Sequence, residues 1–297
     1  MRRITVVLAI AVVAVAPRAL RAQSVDSTFT VRSGARLELQ SVSGSIRIKA
    51  WNRSQIRVQA ESDGARVDLD ASMGGVSVRS IPRRGEGDVD FTISVPVGTP
   101  LEVRAVSADI DASAVCGPVR LISISGGVTL ACASGDVDVE SVSGDVSAAD
   151  IRDAHAEISS TSGDVEVRQL KGGLSAHSVS GDVTLDRVDG DDVGVETVSG
   201  EIGFSGPIHD SGRYRFHSHS GDVTVRAEGD FNATVDVSTY SGDLESDWPI
   251  TINPGPGRRM HGQDWEFTVG TGSARLNLES FSGTIYLRRG SSPRRED

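Results

Sequence analysis

The chain has 297 residues, 38% of them hydrophobic but only 4% aromatic, with 33 glycines and a formal net charge of −11 at pH 7. So acidic a surface argues against nucleic acid as a partner, because a phosphate backbone is held through clustered Lys and Arg. With few aromatic side chains, the interior is expected to be narrow and filled by small apolar residues.

Residues 1–22 read as a secretory signal: Arg2 and Arg3, an apolar run from Ile4 to Ala16, then Ala22 before Gln23 as the cleavage point. The run is too short to span a bilayer comfortably, so cleavage is expected, with export to the periplasm, outer surface or medium. Removing Arg2, Arg3, Arg18 and Arg21 takes the net charge from −11 to −15.

Residues 24–115 alternate apolar and polar side chains with irregular punctuation, as in Leu37-Glu38-Leu39, Ile46-Arg47-Ile48 and Val89-Asp90-Phe91-Thr92-Ile93-Ser94-Val95. Period-two alternation is the strand signal, and this region is expected to form the first coils and N-terminal cap of one domain spanning 23–288. The two cysteines, Cys116 and Cys132, stand 16 residues apart, close to one coil. They admit two readings: a disulfide between adjacent coils of an exported chain, or two free, buried apolar fillers.

Through the regular coils from 116 to 246, and once more at Gly283, one phrase recurs: Ser143-Gly144-Asp145-Val146, Ser162-Gly163-Asp164-Val165, Ser180-Gly181-Asp182-Val183 and Ser220-Gly221-Asp222-Val223, with variants around Gly126, Gly200, Gly242 and Gly283. The glycines are spaced by 18, 19, 18, 19, 21, 21 and 41 residues, the last gap being about two periods. Apolar residues occupy positions seven and five before each glycine (Val137 and Val139, Ala156 and Ile158, Leu174 and Ala176) and two and four after it (Val146 and Ala148, Val165 and Val167). Ser246 alone breaks these columns. The pattern predicts an all-β fold, a single-stack β-solenoid of the β-helix or β-roll kind, with 18–21-residue coils of two short strands each. The Ser-Gly corner resets the alternation, and its glycine is expected to supply a positive-φ or tightly bent backbone. A weaker corner falls half a period away, at Gly135, Gly172 and Gly190. Position minus three (Ser141, Ser160, Ser178, Thr197, Ser218, Thr239, Ser280) points inward, so a hydroxyl ladder is expected, each hydroxyl bonded to a neighbour or to backbone.

Residues 247–264 carry Pro249, Pro254, Pro256, Arg258, Arg259 and His261, which break the period and predict a loop insertion. Residues 265–288 then read as the final coils, and 289–297 as a disordered tail.

Val42-Ser43-Gly44-Ser45-Ile46-Arg47-Ile48-Lys49-Ala50-Trp51, the Ile93-Ser94-Val95-Pro96-Val97-Gly98 core, the repeated phrase and the closing Gly270-Thr271-Gly272-Ser273-Ala274-Arg275-Leu276 together resemble the bacterial putative-adhesin domain of unknown function. That family is similar in turn to the adhesin head (GIN) domains. The resemblance implies a β-helical envelope protein, with no catalytic motif to carry over.

Three groups of residues could carry chemistry. The column Asp145, Asp164, Asp182, Glu201, Asp222 and Asp243 puts like charges about one strand spacing apart, tolerable if calcium is bound or if the carboxylates are solvated turn caps. The Gly-Gly-x-Gly-x-Asp spacing of calcium β-rolls is absent, which favours turn caps. The outward column four before the glycine makes His177, Glu196 and His217 vertical neighbours. These, with His219 nearby, could hold zinc or serve acid-base work, though a flat strand face favours a plain hydrogen-bonded ladder. Trp248, Arg258, Arg259, His261 and Trp265 are where a glycan would be sought, and a capping loop over the last coils is the favoured alternative.

The expectation is therefore an exported, non-catalytic structural or adhesin-like module of the cell envelope, needing no cofactor. Its rivals are a glycan-binding or glycan-active β-helix using the 247–264 loop and a calcium-stabilised adhesin. The partner is expected to be an envelope protein or a glycan, with end-to-end self-association of uncovered terminal coils a further route.

Overall fold

The computed structural model describes residues 23–82, 87–249 and 263–290. The signal segment 1–22, the loop residues Arg258, Arg259 and His261, and tail residues 291–297 lie outside that range.

Among the described residues there is no helix, and 21 strands follow one another. They are β1 (Gln23–Thr30), β2 (Arg36–Trp51), β3 (Gln55–Asp63), β4 (Ala65–Ser72), β5 (Gly75–Pro82), β6 (Asp88–Pro96), β7 (Leu101–Ser113), β8 (Val119–Ser123), β9 (Val128–Ser141), β10 (Val146–Ser160) and β11 (Val165–Ser180). The series continues with β12 (Val183–Asp189), β13 (Asp192–Ser199), β14 (Ile202–Gly206), β15 (Arg213–Ser220), β16 (Val223–Glu228), β17 (Ala233–Thr239), β18 (Leu244–Ser246), β19 (Gln263–Val269), β20 (Ala274–Ser282) and β21 (Ile285–Gly290). Arg289 and Gly290, expected in the tail, are thus the end of a strand.

The strands stack into two facing sheets joined at two corners. One sheet runs β1, β3, β6, β2, β7, β9, β10, β11, β12, β14, β16, β21, β18. The other runs β4, β5, β2, β7, β8, β9, β10, β11, β13, β15, β20, β17, β19. The long strands β2, β7, β9, β10 and β11 bend at a corner and belong to both. Pairing is parallel except for β1–β3, β3–β6, β4–β5 and β17–β19. The solenoid expected from the repeat is therefore present, and its inward columns form one continuous core from Leu37 to Leu287.

Stacking order and chain order part at both ends. The coil β20–β21 is inserted between β15–β16 and β17–β18, so the 41-residue gap between Gly242 and Gly283 is a doubling back and not two successive coils. The segment read as final coils contributes one strand, β19, that closes an edge antiparallel to β17, and one coil that lies inside the stack. At the other end β2 is likewise inserted, between β5–β6 and β7. Among the described residues, only short or antiparallel strands are left at the rims, an arrangement that discourages uncontrolled edge pairing.

The corner glycines differ from expectation. Gly144, Gly163, Gly181 and Gly200 are not in the left-handed region; among this ladder Gly44 (φ 109°) and Gly221 (φ 154°) are. What requires glycine is crowding: a Cβ on Gly144, Gly163, Gly181 or Gly200 would come within 2.1–2.4 Å of the carbonyl oxygen of the glycine one coil earlier. Left-handed backbone sits at the opposite corner, where Ala114, Cys132, Asp150, Gln169 and Arg187 stack at φ 54–61°.

The hydroxyl ladder is buried as expected, from Ser141 at 5% exposure to Ser218 at 0%. Ser141 Oγ accepts the Gly144 N–H, and Ser218 and Ser280 donate to the Gly200 and Gly221 carbonyls at 3.1 and 3.0 Å. Ser178 and Thr239 depart from the pattern, since their hydroxyls have no partner among the described residues. Cys116 and Cys132 are joined by a disulfide with Cα atoms 4.8 Å apart.

Candidate interaction surface

The residue immediately after each rung of the inward hydroxyl column, a column that holds Ala105 at one rung, must face outward by strand alternation. Such a position is ordinarily polar. Here it is Ile81, Val42, Val106, Ile124, Val142 and Thr161 along the first half of the stack, in spatial order. It continues as Val179, Val198, His219, Phe281 and Tyr240. Among the described residues the exposed large hydrophobics number eleven, and nine stand on this one line, each 37–50% exposed; Met73 and Val97 are the other two. At about 4.8 Å per rung the line is roughly 48 Å long.

Its last rungs are aromatic and preorganised. Phe281 stacks on His219 at 4.8 Å and 14°, and on Tyr240 at 4.7 Å and 3°. Because the rings cover one another's faces, they present edges outward.

One flank of the line is acidic for a structural reason. Carboxylates of Asp109, Asp145, Asp164, Asp182 and Asp222 accept the backbone N–H of Gly127, Asp164, Asp182, Glu201 and Thr284 in the neighbouring coil, at 2.7–3.0 Å. The corner N–H groups need such an acceptor, and a charge-assisted bond offsets the repulsion between successive carboxylates. The other flank is the mixed column that includes Arg104, Glu140, His177, Glu196, His217 and Glu279.

A family profile described as Toastrack DUF4097 matches residues 35–288. The chain belongs to the Toastrack DUF4097 family. Among solved structures, the chain is similar to a putative adhesin from Bacteroides fragilis, 13% identical over 89% of this chain and 96% of that one, with a TM-score of 0.39. It is also similar to a putative cell adhesion protein from Clostridium sporogenes, 10% identical over 90% of this chain and 100% of that one, with a TM-score of 0.24. At those scores neither likeness bears on function. No curated protein matches.

The groups singled out in the sequence are placed as follows in this Toastrack domain. His177, Glu196 and His217 are vertical neighbours, but they do not converge. His177 Nδ1 is 3.6 Å from Glu196 and its Nε2 is 3.0 Å from Ser175 Oγ, whereas His217 turns to Glu279 at 3.0 Å. His219 stacks on Phe281. No three His, Cys, Asp or Glu side chains are grouped as a metal site among the described residues. Trp248 is only 7% exposed, packed against Phe231 with the Arg289 guanidinium over its ring, and Trp265 is half-buried against the core. Both therefore pack onto the last coils. A shallow depression of about 360 Å³ lies at the N-terminal end, lined by Arg36, Glu38, Asp70 and Ser72 among others.

Near the inserted coil, two carboxyl groups are held below the usual range. Asp210 accepts the Ser273 hydroxyl and the Asn232 amide, and Asp247 accepts the Arg289 backbone N–H and the Arg288 guanidinium. Deeper in, burial pushes the Tyr214 hydroxyl up; it donates to the Gly190 carbonyl at 2.7 Å and accepts the His209 N–H.

Proposed function

We propose that this Toastrack chain is an exported, non-catalytic, adhesin-like module of the bacterial envelope, and that the apolar line from Ile81 to Tyr240 is its working surface. The observation that carries the reading is the concentration of nine of eleven exposed large hydrophobics on a single outward column. Exposed apolar side chains gathered along one line point to a partner site, whereas the same side chains scattered singly would need no explanation. The charged outer faces, by contrast, hold side chains in exposed pairs such as Arg57–Asp26 and Arg120–Asp138, which contribute little to stability. Export is supported by the signal-like first 22 residues and agrees with the Cys116–Cys132 disulfide, since such bonds persist in oxidising compartments.

The test is attachment of the purified mature chain to envelope fractions of its own bacterium, with N-terminal sequencing of the native protein. A native N-terminus at Gln23 and attachment lost in Val142→Thr/Val179→Thr/Val198→Thr are the expected results. Retained attachment in that variant, or a cytoplasmic protein beginning at Met1, would overturn the reading.

A further inference from the structure

The apolar line has a chemistry beside it as well as a spacing, and together they specify an occupant. We propose that it docks an amphipathic α-helix of a partner protein, with the helix lying along the stack and a row of Lys or Arg bordering its apolar seam. This rests on the reading of the line as the working surface and names what that surface takes.

Spacing is the first argument. Rungs recur at about 4.8 Å. A helix with a heptad seam presents apolar side chains every ~5.2 Å along its axis, so knobs and rungs stay in step over several turns. An extended strand presents same-face side chains every ~6.7 Å and loses step within two rungs. The exposed parts of the rungs are also narrow, one residue wide, which suits a helical seam better than a broad sheet face.

Charge is the second. From the Val142 rung to the His219 rung, the Asp145, Asp164, Asp182 and Asp222 ladder lies three residues further along the chain at the adjoining corner, and each of its carboxylates spends one oxygen on a backbone N–H and keeps the other for a cation. A basic border on the helix would meet this row. A second copy of the chain is disfavoured by the same row: face to face it would bring against the ladder either its own aspartates or the mixed column, whose Arg104, His177 and His217 already pair with Glu102, Glu196 and Glu279. An anionic lipid surface is disfavoured for the same reason.

The experiment uses the purified mature chain and three synthetic helices of about 21 residues, long enough for roughly six seam positions. One has a Leu seam bordered by Lys, the second replaces Lys by Glu, and the third has the composition of the first with its seam scrambled. Binding is measured by fluorescence anisotropy at moderate salt, against wild type and two variants. Val142→Thr/Val179→Thr/Val198→Thr removes apolar surface isosterically, and Thr161 already shows that threonine is accommodated on the line. Asp145→Asn/Asp164→Asn/Asp182→Asn removes charge while leaving an acceptor for the backbone bonds. Circular dichroism and melting curves establish that both variants are folded.

The expected result is binding of the Lys-bordered helix only, weakened about tenfold or more by either variant, with the charge variant also flattening the salt dependence. No binding, equal binding of the scrambled helix, or binding unchanged by both variants would overturn the proposal. So would concentration-dependent dimerisation abolished by the threonine variant, which assigns the line to a second copy, or binding to anionic vesicles abolished by it. If the helix fails while envelope attachment still depends on the three valines, this inference falls and the working surface stands; if neither depends on them, both fall.

Discussion

Gly163 packs so closely on Gly144 that a Cβ added to it would lie 2.4 Å from the Gly144 carbonyl oxygen. The contact recurs up the stack, so the repeat glycine marks a place where two coils touch backbone to backbone. A methyl group there has no room to turn away, because the obstruction is main chain. Gly163→Ala is expected to cost about 1–3 kcal/mol, as for other overpacked sites, and to lower the melting temperature. Gly163→Val should cost more.

At the opposite corner the sign should reverse. Gln169 is exposed and held at φ 55°, where an L-residue is strained by roughly 1–2 kcal/mol. Glycine relieves that strain but brings about 0.5–1 kcal/mol of unfolded-chain entropy, so Gln169→Gly should be neutral to slightly stabilising. Melts of Gly163→Ala and Gln169→Gly side by side separate the two corners, and a fall in both would contradict the distinction.

The Asp164 carboxylate accepts the Asp182 N–H at 2.9 Å. Asp164→Ala removes that acceptor and should cost about 1 kcal/mol. Asp164→Asn keeps an acceptor and removes a like charge between Asp145 and Asp182, so it should be neutral or stabilising, most visibly at low salt. If calcium held this column, the asparagine variant would lose stability and a chelator would lower the wild-type melt. Urea titration with and without calcium and chelator checks both.

Asp247 and Asp210 tie the inserted coil down through hydrogen bonds that favour their charged forms. A carboxyl whose folded pKa is depressed contributes stability that is present above its unfolded value, near 3.9, and is lost as pH falls through the folded one. Acidification below about pH 4 should therefore loosen the attachment of the rim segment after β18, which carries Asp247 and Trp248, to β21. Trp248, next to Asp247 and under Arg289, is placed to report it by fluorescence. Asp247→Asn should make the acid limb shallower; an unchanged limb would show that the anchor contributes nothing.

Much of this architecture is written in the columns around each glycine. Val137, Val139, Val146 and Ala148 and their repeats give strand period, coil length and inward face directly. The insertion of β20–β21 is not legible that way, because Leu276, Leu278, Ile285 and Leu287 fit any rung equally well and the antiparallel β17–β19 pairing decides the order. Nor can sequence tell a glycine needed for φ from one needed for close approach, which is why Gly163 differs from its expected role. The apolar line is legible in Val142, Val179, Val198, Tyr240 and Phe281, outward by parity yet apolar. The sequence signal at His177, Glu196 and His217 was adjacency alone, and adjacency along a flat face does not bring side chains to one point.

The most direct measurement is hydroxyl-radical footprinting of the mature chain, free and attached to envelope. Oxidation of Val142, Val179, Val198 and Phe281 should fall on attachment, while Met73 and Val97, the two exposed hydrophobics off the line, should keep their free rates. Protection of Met73 and Val97 with the line still open would contradict the account.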